Sequence, residues 1–157
     1  MQKDGLHVHI SDANRFFYCT DGDSAVSDIA FQVRMQILSG EGGGLVFRVG
    51  DNNGQGLYGF ELDTDGSYQV FLDKDSTTTP TNLATGTTNA ADKGISALNT
   101  LTLIEQGDQF YFYINGGFVV QVKDATFQTG SAGVLASDGG SPAEVAYTNA
   151  KIWDMNS

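Results

Sequence analysis

An all-β sandwich or barrel is the fold class this sequence predicts, and three observations predict it. Short runs of alternating apolar and polar residues recur along the chain between turns rich in Gly, Asp and Asn, and no segment carries a helical period. Twenty glycines against two prolines, with 40% hydrophobic residues, describe a chain that turns tightly and still buries a core. At 157 residues there is enough chain for one well-buried domain and little for two, so residues 1–157 read as a single domain.

The elements follow in order. Leu6, Val8 and Ile10 alternate with His7 and His9, a short strand with one face inward. Phe16 to Thr20 makes a second strand, ended by Asp21-Gly22-Asp23. Ile29, Phe31, Val33, Met35 and Ile37 form the longest uninterrupted alternation and are expected to cross the sandwich near its middle. SGEGGG, from Ser39 to Gly44, is a turn and not a phosphate loop, because no Lys-Ser/Thr and no helix follow it. Leu45, Phe47 and Val49 resume the period, and DNNGQG from Asp51 to Gly56 turns again.

Tyr58, Phe60 and Leu62 then alternate with Gly59, Glu61 and Asp63, and Asp65-Gly66 turns the chain into Tyr68, Val70 and Leu72. Tyr58 and Tyr68 are in phase with these apolar positions and read as core. Residues 73–94 are polar, contain Pro80 and read as the longest loop, with one short strand near Leu83. From Asn99 to Ser137 three strand patterns are joined by Gly107-Asp108 and Asn115-Gly116. Asn-Gly suits the left-handed angles of a two-residue hairpin turn, and Phe110, Phe112 and Ile114 lie opposite Tyr111 and Tyr113. Phe127 tucks in from a connector, Gly133 to Ala136 suit a crowded buried strand, and Glu144 to Trp153 form the last strand, with Trp153 read as core.

Charge excludes several functions. A net charge of −11 and a pI near 4.2 argue against duplex nucleic acid or an anionic membrane as partner, since affinity there comes from Lys and Arg. Cys19 is the one cysteine, which leaves no intrachain disulfide and no zinc or redox motif, and it reads as a buried small hydrophobe. No apolar run reaches the roughly 20 residues that span a bilayer. His7 and His9 share a face but lack an assured third metal ligand, and read as a solvated pair.

Taken together, GGLVFRV at 43–49, YGFELDTDGSYQVF at 58–71, NTLTLIEQGDQFYFYINGGFVVQVKD at 99–124 and AYTNAKIW at 146–153 resemble a bacterial family. The chain is similar to the concanavalin A-like jelly-roll domains related to laminin G modules and to 3-keto-disaccharide hydrolase domains. The segment from Asn99 onward is the specific part: strand, Asn-Gly turn, strand, Asp-x-x-Phe, then Gly-x-x-Gly and a small-residue strand. The resemblance implies two antiparallel sheets of about six strands each, one of them concave, packed face to face. It also implies carbohydrate binding or a place at the cell surface in many members, and glycan processing in some.

Three constellations could carry chemistry. Glu61 and Asp63 point to one face of a strand, at an alpha-carbon spacing of roughly 6.5–7 Å, and resemble the alternating carboxylates of glycosidases on this fold. Asp65 departs from that pattern, because Gly66 follows it and it is expected to cap the turn. Clustered turn oxygens at Asp21 and Asp23, at Asp51, at Asp63 and Asp65, and at Asp73 and Asp75 are candidates for a structural calcium ion, which similar jelly-roll modules often hold. Tyr111 and Tyr113 form an outward aromatic pair on which a sugar ring could stack, or which closes cross-strand pairs.

The leading expectation is therefore a non-catalytic, extracellular or cell-surface binding module for glycan that uses the concave sheet and the 73–94 loop, with Tyr111 and Tyr113 as ligand residues. A glycoside-active enzyme using Glu61 and Asp63 is the first alternative. A structural or adhesion domain that binds no sugar is the second.

Overall fold

The computed structural model describes residues 6–10, 16–20, 27–50, 56–75, 79–137 and 142–155, with the backbone alone for 6–10 and 16–20. Asp21, Asp23 and Asp51, three of the calcium candidates, lie outside the described residues, as do the side chains of His7, His9 and Cys19. Twelve strands run through the described chain: β1 (Leu6–Ile10), β2 (Phe16–Thr20), β3 (Ile29–Ser39), β4 (Gly42–Val49), β5 (Leu57–Asp63), β6 (Ser67–Asp73), β7 (Thr81–Thr87), β8 (Leu98–Gln106), β9 (Gln109–Ile114), β10 (Gly117–Lys123), β11 (Ser131–Ser137) and β12 (Ala143–Asp154). They form two six-stranded antiparallel sheets, in the order β1-β12-β3-β8-β9-β10 and the order β2-β11-β4-β5-β6-β7. This is an all-β jelly-roll sandwich, and β3 holds the interior position its long alternation predicts.

The turns do what their residues allow. Asn115 and Gly116 both take positive φ, 52° and 82°, which is the twist a two-residue hairpin between β9 and β10 requires. Alternation then sorts the faces. Phe31, Val33 and Met35 of β3 with Leu101, Leu103, Phe110, Phe112 and Ile114 meet Leu45, Phe47, Tyr58, Phe60, Leu62 and Val70 from the other sheet. Phe60 stacks on Phe112 at 4.6 Å between ring centroids, and Phe47 meets Phe110 edge-on at 5.0 Å. Each such side chain removed from water contributes about 1.5–3 kcal/mol, so this layer dominates the stability.

A buried charge interrupts that layer. Arg48 adopts φ 50° near the end of β4, which turns its side chain inward, and Gly130 packs so closely that a Cβ there would lie 2.3 Å from the Arg48 carbonyl carbon. The guanidinium donates to Glu105 at 2.8 Å, to the Phe127 carbonyl at 3.0 Å and to the Ser27 carbonyl at 3.1 Å, and covers the Phe110 ring at 4.8 Å. Burial pushes the Glu105 carboxyl up while the guanidinium pulls it down. Arg48 cannot shed its charge, so a neutral Glu105 would leave a lone buried cation, and the ionised pair is the state consistent with the geometry.

Two sequence expectations are corrected. Trp153 is not core; it is 47% exposed. The cause is a bulge in β12, where Thr148 pairs with Arg34 but Lys151 pairs with Gln32, and Asn149 takes φ 54°. One extra residue flips the alternation, so Ile152 and not Trp153 continues the phase of Val145 and Tyr147, and this end of β12 runs past the core, leaving Ile152 exposed as well. Tyr68 packs against the core only in part, and its hydroxyl lies where a Cβ on Gly86 would be, 2.7 Å away. The short strand expected near Leu83 is β7, seven residues at the sheet edge that divide the 73–94 stretch. TNLATGT lacks apolar alternation because an edge strand this exposed needs none.

Candidate functional site

The outer face of the second sheet holds the site. The register places Leu135, Gly44, Glu61, Gln69 and Thr85 in one row across β11, β4, β5, β6 and β7, with Ser137, Gly42 and Asp63 in the next row. All point away from the aromatic core. An open cavity of 410 Å³ lies over these rows, lined by Glu41, Glu61, Asp63, Ser67, Tyr68, Gln69, Thr85, Gly86 and Ser137. That volume is within the roughly 300–1,000 Å³ of small-ligand pockets.

Two glycines of β4 run alongside Glu61 and Asp63. A Cβ on Gly42 would lie 2.2 Å from Asp63 Oδ1, and one on Gly44 would lie 1.8 Å from the Phe60 carbonyl oxygen. Beneath Gly44 the Tyr147 hydroxyl enters the β4–β11 ladder, accepting from the Gly44 amide at 2.8 Å and bonding the Leu135 carbonyl. A side chain of the opposite sheet thereby pins the strand beside Glu61 and Asp63.

The β5–β6 hairpin sets the acidic wall. Asp65 accepts from the Ser67 amide at 2.9 Å and from its hydroxyl at 2.5 Å, the turn-capping geometry its position before Gly66 predicts. Ser67 Oγ also lies 3.2 Å from Asp63 Oδ2. Glu61 and Asp63 hydrogen-bond each other, and Ser137 bonds Glu61. Two ionised carboxylates offer no donor between them, so this contact needs a proton. Burial, then the Asp63 hydrogen bond, pushes Glu61 up to about 8, and burial raises Asp63 as well. Asp63 Oδ1 is buried and has no hydrogen-bond partner.

Glu61 and Asp63 thus come together as the alternation predicts. Both line the same cavity from one face of β5, while Asp65, the next carboxylate along, is taken up by the turn. Tyr111 and Tyr113 are placed elsewhere, on the outer face of the first sheet. Tyr111 donates to Gln109 at 2.7 Å, and Tyr113 pairs across strands with Phe118, their rings 71° apart. An edge-on pair closes a cross-strand contact and leaves no flat double platform. Among the described residues no three His, Cys, Asp or Glu side chains converge as metal ligands. Asp63 and Asp65 are described; Asp65 is taken up by the turn.

Ser67, Gln69 and Thr85 escape the sequence reading. Gln69 is legible in principle, because a hairpin centred on Asp65 must pair it with Glu61. Thr85 is not, since it enters on a strand without alternation.

No protein-family model and no curated protein sequence matches the chain. Solved structures do. Carbohydrate-binding module CBM66 from Bacillus subtilis matches at a TM-score of 0.73 and 19% identity, over 94% of this chain and 91% of that one. Sheep galectin-11, solved with glycerol, matches at 0.58 and 12%, over 90% and 98%. A Bacillus subtilis protein of unknown function with a galectin-like fold matches at 0.66 and 13%, over 96% and 82%. At these identities the likeness shows the fold, a concanavalin A-like jelly roll.

Proposed function

We propose that this protein is a non-catalytic carbohydrate-binding module whose site is the pocket lined by Glu61, Asp63, Ser67, Gln69 and Thr85. The observation that carries the reading is a concave, polar cavity in which carboxyl, amide and hydroxyl groups from three adjacent strands converge. Sugar rings present hydroxyls that both donate and accept. Glu61 and Asp63 accept, whereas Ser67, Gln69 and Thr85 do both, and the combination suits a ring held by its hydroxyls. Similarity of fold to a carbohydrate-binding module and to galectins supports the same reading. Binding is favoured over hydrolysis because Asp65, which would continue the alternating carboxylates, caps the turn through Ser67. A polysaccharide ligand would go with an extracellular or cell-surface address.

Affinity electrophoresis through gels containing soluble polysaccharides tests this. Retardation by at least one polysaccharide, lost in Gln69→Ala, is expected. Absence of retardation on every polysaccharide, or retention unchanged in Gln69→Ala and lost in Tyr113→Ala, would sink the assignment.

A further inference from the structure

One edge of the second sheet stands open. β7 ends the order β2-β11-β4-β5-β6-β7, and among the described residues its backbone groups bond to β6 alone. The Thr88 amide donates to the Gly66 carbonyl at 3.0 Å, and alternation along the antiparallel ladder then turns the amides and carbonyls of Ala84 and Gly86 toward β6 and those of Thr85 and Thr87 outward. Both threonines are exposed, and the bulge in this pairing, between Val70 and Phe71, lies beyond them. Open amides and carbonyls spaced along a strand are matched by another extended strand.

What usually guards an edge is missing from this one. Lysine, proline and inward-pointing charges commonly blunt edge strands, and TNLATGT contains none. Ser76 to Ala91 hold no Asp, Glu, Lys or Arg, the longest such run in a chain of 19 acids. That run selects the occupant. Two copies of net charge −11 repel each other wherever acids face across a contact, and least along this strip, whereas a charged peptide finds no opposite charge here. Self-pairing also satisfies the geometry. About a two-fold axis at Gly86, Thr85 of each copy stands opposite Thr87 of the other, exchanges both N–H···O=C bonds with it and meets it as a Thr–Thr cross-strand pair.

We propose that β7 pairs antiparallel with β7 of a second copy, joining two six-stranded sheets into one of twelve. Thr85 and Gly86 line the cavity, so two cavities open on one face, with Glu61 of the two copies about 24 Å apart at five strand spacings of about 4.8 Å. A seven-residue strand covers less than the roughly 800 Å² per partner of a standard interface, so the expected Kd is on the order of 10–100 μM. Sedimentation equilibrium on the intact chain, from about 1 μM to about 1 mM, is expected to show monomer passing to dimer. It is run without saccharide, so its outcome is separate from that of the pocket reading. Hydrogen exchange at the Thr85 and Thr87 amides should slow several-fold between the two ends of that range. Thr87→Pro removes an outward N–H at an edge position that tolerates proline, and is expected to leave a monomer throughout. Thr87→Glu, a milder exposed change that sets two added acids diagonally across the axis, is expected to do the same and decides the matter should Thr87→Pro fail to fold. A monomer at every concentration of the unaltered chain would overturn the pairing. So would a dimer that persists in every folded variant, since it would use another surface.

Discussion

Replacing Glu61 with glutamine should change how stability depends on pH, and the structure fixes both sign and size. Burial first, then Asp63, holds the Glu61 carboxyl at about 8 in place of 4.5. A folded-state value above the unfolded one means stability is fully present below about pH 4.5 and is lost progressively as pH rises to about 8, beyond which it is level. At about 1.4 kcal/mol per pH step the whole gap has a ceiling of about 5 kcal/mol. Asp63 shares the proton and water reaches the cavity, so about 3 kcal/mol is the working figure. The side-chain amide introduced by Glu61→Gln would donate permanently to Asp63 and titrate nothing, leaving every other ionisable group in place. Thermal unfolding followed by circular dichroism from mildly acid to mildly alkaline pH, at constant ionic strength, should therefore show the variant gaining on the parent by about 6–12 °C across the interval. Parallel curves would refute the shared proton.

Other outcomes follow from the same geometry. Arg48→Met strands Glu105 in the core and should cost about 3–5 kcal/mol in urea unfolding; a loss under about 1 kcal/mol would mean that the pair is solvated. Tyr147→Phe removes the hydroxyl between the Gly44 amide and the Leu135 carbonyl, at an expected cost of about 1–3 kcal/mol, and an unchanged denaturation midpoint would contradict that role. Gly130→Ala drives a Cβ into the Arg48 backbone at φ 146° and should cost on the order of 3 kcal/mol or more, read as lost soluble yield. Tyr113→Ala breaks one cross-strand pair and should cost roughly 0.5–1.5 kcal/mol while leaving saccharide retention intact.

Most of the strand framework is readable because burial on one face writes itself into alternation, as in β3, β8 and β9. Where burial is one-sided only in part, the signal fades, and β7 is accordingly visible only near Leu83. Trp153 shows a second limit. A single inserted residue in β12 reverses its face, and nothing in AYTNAKIW beyond an Asn able to take positive φ announces it. The carboxylate pair is legible from spacing on one strand, and its contact is not, because that depends on the glycines of β4 lying alongside. Tyr111 and Tyr113 draw attention as outward aromatics; Tyr111 is taken up by Gln109 two residues back on β9, and Phe118 meets Tyr113 because the Asn115-Gly116 turn pairs them.

The order of strands has a consequence for how the molecule reaches this state. β4 to β7 and β8 to β10 are meanders whose neighbours meet across short turns or single loops, whereas β1 joins β12 with about 140 residues between Leu6 and Tyr147. Closing that span costs about 3 kcal/mol more chain entropy than closing a hairpin of a few residues. The meander that carries Glu61, Asp63 and Gln69 is therefore assembled early, and the pairing of β1 and β2 with β12 and β11 completes the sheets late. Pulsed hydrogen exchange during refolding should protect the amides of β5 and β6 before those of β1 and β2.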